Sequence, residues 1–337
     1  MCVHSRILLI VLALLSSLPA SPGKALAQNE PSSFSEWLAG VRAEALARGI
    51  RQDIVDQALG PIEEPLVSSI ERDREQPETV LPLEAYIASR LRPATVRTGR
   101  QMLQRYRALL RRVSNNYGVP APVIVALWGM ESNFGRRTGS EPTITALATL
   151  AWDPRRGGFF RQELFDALDI LNRGDIELSR MRGSWAGAMG QLQFMPSSYL
   201  KYAVDFDGDG RRDIWGSPAD IFASIANYLK QHGWVKGRQW GREVKVPRSR
   251  DLSVPRREWV CPAARDMTDA LPLEEWRRLG VRLPGGRPLP RASFHASLVT
   301  GSSRCFLLYA NYDALLAYNC SHAYALSVAL LADRIAH

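Results

Sequence analysis

Three short stretches carry side chains of a type and spacing that can do chemistry. The first is Val123-Ile124-Val125-Ala126-Leu127-Trp128-Gly129-Met130-Glu131. Glu131 falls four residues after Leu127, three after Trp128 and seven after Ile124, so on a helix it shares the apolar face. A charged carboxylate is costly there, and desolvation raises its pKa. A carboxylic acid that keeps its proton near neutral pH is what general acid catalysis needs. The competing reading is a helix-terminal glutamate that turns to solvent or pairs with Arg136 or Arg137. Spacing alone leaves both open.

The second stretch runs from Gly183 to Tyr199, Gly-Ser-Trp-Ala-Gly-Ala-Met-Gly-Gln-Leu-Gln-Phe-Met-Pro-Ser-Ser-Tyr. Its glycines let backbone approach a ligand closely. Ser184, Gln191 and Gln193 supply uncharged donors and acceptors, and Phe194 and Tyr199 supply flat apolar faces of the kind that bind sugars. A tightly packed junction between helix and loop would have the same composition. The third stretch, Asp205-Phe206-Asp207-Gly208-Asp209-Gly210-Arg211-Arg212-Asp213, matches the front of an EF-hand loop. Asp205, Asp207 and Asp209 take positions one, three and five, Gly210 takes six, and the carbonyl of Arg211 takes seven. Asp213 takes nine, but position twelve is Gly216 rather than glutamate, and the next acid is Asp220. An acidic turn that holds no ion is the alternative.

The elements that must position these stretches are mostly helical. Apolar spacing predicts helices over 34–60, 82–117, 120–133, 160–173 and 218–232, with a break at Gln76-Pro77-Glu78. Pro122 suits the first turn of the third helix and Gly135 its stop. From about residue 236 the texture becomes β-like, in short runs at Val244 and Val246, Trp259-Val260, 294–299 and 305–309. Residues 311–335 return to helix. The expected architecture is α+β and mainly α. A helical subdomain over 28–117 precedes a catalytic core over 118–235. A small β-rich subdomain over 236–310 and a C-terminal helical segment over 311–337 follow.

The 337 residues are 46% hydrophobic and 23% charged, which excludes disordered, collagen-like and coiled-coil classes. A net charge of +9 favours an acidic partner without naming it. Residues 1–27 have the form of a cleaved secretory signal peptide: a short basic start, an apolar run from Ile7 to Leu18, then Ala25-Leu26-Ala27. Cys2 precedes the apolar run, so it is not a lipoprotein cysteine. Three cysteines remain after such a cleavage, Cys261, Cys305 and Cys320, and the sequence does not choose a pair among them.

Glu131-Ser132-Asn133-Phe134-Gly135, the Gly183–Tyr199 stretch and the acidic loop, in this order and spacing, resemble the lytic murein transglycosylase B family. The resemblance spans most of the chain and is weakest over 28–80 and 236–300. It implies a periplasmic enzyme with a lysozyme-like core that acts as a monomer on peptidoglycan glycan strands, with no nucleic-acid partner and no organic cofactor. It implies Glu131 as the catalytic acid and base. It implies Ser184 and Gln193 along the cleft, and Tyr86, Phe194, Tyr228, Tyr318, Asn319 and Tyr324 around the glycan. Tyr86 is assigned mainly by its distance before Glu131. The family's lengthened calcium loop, closed by a later aspartate, implies a structural Ca2+ on Asp205, Asp207, Asp209, the Arg211 carbonyl and Asp220. The reaction implied is cleavage of the MurNAc-β-1,4-GlcNAc bond with formation of a 1,6-anhydro end, carried by one glutamate. A hydrolytic muramidase with a second carboxylate near Glu131, a catalytically silent peptidoglycan-binding scaffold, and a calcium-regulated binding module built on the loop at 205–220 are the rival readings.

Overall fold

The computed structural model describes residues 33–75, 81–247 and 252–337. The expected signal peptide and the expected break at 76–78 lie outside the described residues.

The N-terminal helices are shorter than their apolar spacing predicts. Helix α1 (Phe34–Ala47) ends before Gly49, whose φ of 87° no helix accepts, and α2 (Gln52–Leu59) starts afresh. After α3 (Val67–Glu75), the stretch expected as one helix over 82–117 is three: α4 (Leu83–Arg90), α5 (Pro93–Arg105) and α6 (Arg107–Tyr117). Pro93 opens a new helix because it cannot continue the old one.

Helix α7 (Ala121–Ser132) carries Glu131 and follows the expected span. Its stop is Asn133 at φ 51°, followed by Phe134 at φ 60°, rather than the expected Gly135. Strand β1 (Glu141–Pro142) leads into α8 (Thr143–Trp152), which the sequence reading did not anticipate. Eight of its ten residues are buried, so it is apolar nearly all round and shows no amphipathic period. Helix α9 (Gly157–Asn172), strand β2 (Arg182–Gly183), α10 (Pro196–Tyr202) and α11 (Pro218–Gln231) complete the central region. Strands β1 and β2 pair antiparallel, Glu141 opposite Gly183.

The β-rich region contains β3 (Gly241–Val244), α12 (Pro262–Arg265), β4 (Leu271–Pro272), α13 (Leu273–Arg278), β5 (His295–Thr300) and β6 (Cys305–Leu308). Its antiparallel sheet has the order β3-β6-β5-β4. Trp259 and Val260, expected in a strand, are exposed loop residues, Val260 at 92%. Alternation along the strands gives the sheet two buried faces. Val299, Phe306 and Leu308 join the main core, while Leu298, Leu307 and Tyr309 join a small core of their own around Trp276.

Two final helices, α14 (Ala310–Tyr318) and α15 (His322–Ala336), meet at an angle of 118°. Helix α15 packs against α7, α4 and α5. The main core runs without interruption from Phe34 to Ile335, so Leu110 and Val113 of the N-terminal helices share it with Ile124 and Leu127 of α7. Cys261 and Cys320 form a disulfide that ties the loop before α12 to the bend before α15, and Cys305 is free. Among the described residues, no single helix is long and apolar enough to cross a membrane.

Candidate active site

Glu131 sits one residue before the end of α7, half-buried, with its carboxyl facing the start of α15. The Tyr324 hydroxyl donates a hydrogen bond to its Oε1. Tyr324 is held in the first turn of α15, where its backbone amide is capped by the Ser321 hydroxyl. Burial pushes Glu131 up to about 7, while the bond from Tyr324 and the charge of Arg90 pull the other way. No carboxylate is among these influences. The alternative placement, paired with Arg136 or Arg137, is not what the fold adopts. Burial, and then the charge of Glu131, hold the Tyr324 hydroxyl well above the usual phenol range, so it stays a donor.

Around this pair lies an aromatic cluster. The rings of Phe194, Tyr228 and Tyr318 meet at 5.6, 5.8 and 4.8 Å between centroids. Tyr318 donates to the Leu192 carbonyl at 2.9 Å and Tyr228 to the Ala317 carbonyl at 2.7 Å. The first bond fixes α14 to the Gly183–Tyr199 stretch and the second fixes α11 to α14. Tyr318 also feels the Glu131 charge, which adds to burial in raising its pKa. Phe194 was expected to offer an open face, but it is only 2% exposed beneath the two tyrosines. It is a core ring packed under those tyrosines, because its flanking strand-like backbone pairs with Met189 and turns the ring inward. Tyr199 is a fully buried core residue bonded to the Arg212 carbonyl.

Tyr86 reaches the same neighbourhood from α4, close enough to Tyr324 to interact with it, and the Arg90 guanidinium lies 4.9 Å from its ring centroid. Asn319 is exposed at the end of α14, beside the half-cystine Cys320.

Ser184 and Gln193 tie their glycine-rich stretch to itself and to the loop after α7. The Ser184 Oγ accepts the amides of Ala186 and Ala188 at 3.2 and 3.1 Å. The Gln193 side-chain amide donates to the carbonyls of Thr138 and Gly190, both at 2.9 Å, and its backbone adopts φ 51°. Gln191, which sequence reasoning did not single out as a site residue, joins the two motifs. Its Oε1 accepts the Trp128 indole N–H at 2.7 Å and its Nε2 donates to the Trp215 carbonyl at 2.7 Å. Gly135, at φ 80°, is required beside it, since a Cβ there would collide with the Gln191 side chain. Arg90 was also missed. Nothing in one sequence registers an arginine on α4 against a glutamate on α7.

The acidic loop forms a second centre. Carboxylate oxygens of Asp205, Asp207 and Asp209 lie within 4.8 Å of one another. The Asp205 carboxylate accepts the amides of Gly208 and Gly210, at 2.7 and 2.9 Å, and Asp209 accepts the amide of Arg211 at 2.8 Å. Three converging carboxylates suit a hard divalent cation. Asp220 is not part of that group, contrary to expectation. It is fully buried in the first turn of α11, and its two oxygens accept the amides of Phe206 and Asp213 at 2.8 Å each. Burial pushes it up to about 6, with the charges of Asp207 and Asp205 adding to that effect and the two amides opposing it. Asp220 closes the loop from inside.

A mainly helical fold with an apolar-face glutamate beside a phenol defines the lysozyme-like class. Residues 33–333 match the family described as transglycosylase SLT domain, and the chain belongs to it. The structure of SltB3 from Pseudomonas aeruginosa, in complex with NAG-anhNAM-pentapeptide, is 44% identical and superimposes with a TM-score of 0.83 over 90% of this chain and 80% of that one. SLT35 of Escherichia coli, in complex with calcium, is 29% identical with a TM-score of 0.74 over 89% of this chain and 92% of that one. Membrane-bound lytic murein transglycosylase B of Escherichia coli K12 is 45% identical over 148 residues, which cover 44% of this chain and 41% of that protein. The chain thus matches less than half the length of that relative.

Proposed function

We infer that the protein is a lytic transglycosylase that cleaves the MurNAc-β-1,4-GlcNAc bond of peptidoglycan and leaves 1,6-anhydro-MurNAc ends. The observation that carries this reading is Glu131, one acid pushed up to about 7 by burial and bonded by a phenol, with no carboxylate of the described residues among the groups that shift it. Most glycosidases need two carboxylates, one on each side of the bond. A lone acid suits a reaction in which the substrate supplies its own nucleophile. Protonated Glu131 gives its proton to the glycosidic oxygen as the C1–O bond breaks, releasing the GlcNAc-side alcohol. The 2-acetamido group of the muramoyl residue stabilises C1. Glu131, now the base, takes the proton of the muramoyl 6-hydroxyl as its oxygen bonds to C1. The acid is regenerated and no water is consumed.

Tyr324 orients the carboxyl and tempers its pKa. Ser184, Gln193, Tyr318, Tyr86 and Asn319 border the cleft that would take the glycan, over the floor of Phe194 and Tyr228. The relative bound to NAG-anhNAM-pentapeptide supports this substrate class. The protein would work as a monomer in the periplasm, delivered there by a cleaved signal at 1–27. Asp205, Asp207 and Asp209, with the Arg211 carbonyl, would hold a structural Ca2+ that fixes the turn of the acidic loop, in keeping with the calcium-bound relative. A Ca2+ at about a hundred times its Kd would add about 2.7 kcal/mol of stability. Millimolar Ca2+ should therefore raise Tm, and Asp207→Asn should abolish that rise.

Mass analysis of products from purified sacculi tests the reaction. Muropeptides one water lighter than their reducing-end counterparts, absent with Glu131→Gln, are the expected result. Reducing ends instead would overturn it.

A further inference from the structure

A cavity of about 610 Å3 opens in the β-rich region, within the roughly 300–1,000 Å3 typical of small-molecule sites. It lies between β3, the segment before β5 and the first residue of α14. It shares no lining residue with the Glu131 cleft, and α14 separates the two: Ala310 borders the cavity, and Tyr318 at the helix's other end, about 12 Å away by helical rise, faces Glu131.

Its polar groups all suit one ligand chemistry. Arg238 and Arg242 line it, and among the described residues neither takes part in an ion pair. No acidic side chain lines it. The Tyr309 hydroxyl, in a residue only 6% exposed, and Arg242 Nε are both buried without a well-formed hydrogen bond; the polar group that acts on the hydroxyl is the Arg242 side chain itself, which also donates to Gln239 Oε1 at 3.2 Å. A buried orphan donor is costly unless a ligand satisfies it. Burial raises the phenol's pKa, so it stays a donor, although the nearby Arg242 opposes the shift. Tyr309 is also the N-cap residue of α14, and no side chain caps that helix. The nine-residue helix therefore points its positive end at the cavity.

The site is held rigidly. Asn311 donates to the carbonyls of Val235 and Arg238, at 3.0 and 2.8 Å, and fixes the turn that carries Arg238. The Arg242 guanidinium lies 5.5 Å above the Tyr309 ring, which packs edge-on against Phe294 at 4.6 Å. Phe294, with Ala292 and Pro290, gives the cavity an apolar wall. A bare inorganic anion has no use for that wall.

We propose that this cavity is a second, non-catalytic binding site for a peptide carboxylate, received by Arg242, the Tyr309 hydroxyl and Arg238, with the adjoining side chain against Phe294. The source of the peptide, the stems of a peptidoglycan strand, rests on the proposed function; the site itself does not. It would let the protein hold a strand by its peptide while the distant cleft works on the glycan.

Calorimetric titration of the whole protein with an N-acetylated pentapeptide ending in D-Ala-D-Ala tests it. The same peptide with a C-terminal amide, and inorganic phosphate, are the controls. The expected result is binding of the acid, with the amide at least about tenfold weaker, as one lost charge-assisted bond implies. Arg242→Gln should weaken the acid about tenfold or more. Tyr309→Phe, which keeps the ring on Phe294, should weaken it several-fold, and exposed Arg238→Gln gives a further variant that leaves the strand untouched. Glu131→Gln should bind the acid as well as the parent does. Equal binding of acid and amide, unchanged binding in all three cavity variants, or phosphate binding as tightly as the peptide would each overturn the site. Loss of anhydro products with peptide binding retained would instead overturn the proposed function and leave the site standing.

Discussion

Glu131 and Glu163 are chemically the same group in the same kind of place. Each sits in a helix of the main core, and burial raises the pKa of each. Their surroundings differ. Glu163, on α9 and 3% exposed, takes the Ser197 amide on one oxygen at 2.9 Å and the Ser197 hydroxyl on the other at 2.7 Å. Ser197 lies in the first turn of α10, so the carboxylate satisfies an otherwise orphan helix amide. Both oxygens are spent on joining two helices. Glu131 has one phenol donor and a half-exposed position at a helix end. Burial alone does not make an acid catalytic; what matters is whether its second oxygen is left to meet a substrate.

That contrast can be broken at either end. The largest expected effect is on Glu131→Gln, which should lose about a thousandfold or more of activity on sacculi, in the range that general acid–base groups supply. Survival of activity within tenfold would remove Glu131 from the chemistry.

Next is Tyr324→Phe, for which a loss of about 10–100-fold follows from one hydrogen bond to a charged group. Its more telling signature is in the pH profile. The acid must be protonated, so activity falls as pH rises through about 7. The phenol's bond lowers that pKa, so its removal should move the alkaline limb upward. An unmoved limb would mean that Tyr324 only packs.

Glu163→Ala should lower stability by about 1–3 kcal/mol, because Ser197 is left unpaired, while activity per folded molecule stays unchanged. Denaturant melts combined with active-site titration read both quantities.

The last test sharpens the comparison through linkage. Glu131 ionises near 4.5 in the unfolded chain and near 7 when folded, so the folded state holds the extra proton between those values. Stability therefore falls as pH rises across that window. Glu131→Gln does not titrate, so its Tm relative to the parent should climb from pH 4.5 to 7 and then level off. A flat difference would deny the carboxyl its desolvated state.

Glu131 was legible because a polar residue interrupts a helical apolar face, a signal contained in a dozen contiguous residues. The reach of Tyr324 across to it came only from resemblance, since no spacing rule relates residues on α7 and α15. Phe194 shows the limit of residue type as a guide. An aromatic ring in a glycine-rich stretch reads as a sugar platform, but the stretch's own antiparallel bridge to Met189 directs it into the core. Asp220 misled in a similar way. As an acid after an EF-hand front it reads as a ligand, whereas its helix-first-turn position aims it at loop amides. Helix α8 was invisible for the opposite reason: burial on every side erases the period that betrays a helix. The cysteine pairing followed from the path of the β-rich region, which sequence does not trace.

The bond between Glu131 and Tyr324 spans 193 positions of chain. Bringing segments that far apart together carries a loop-closure cost that contacts within a single helix do not. A chain in which α15 has not yet docked on α7 thus lacks the Tyr324 bond to Glu131. The tuned acid comes into being only when α15 docks on α7. On the proposed function, activity is in this sense a property of the finished tertiary structure, because no shorter piece of the chain holds both partners of that bond.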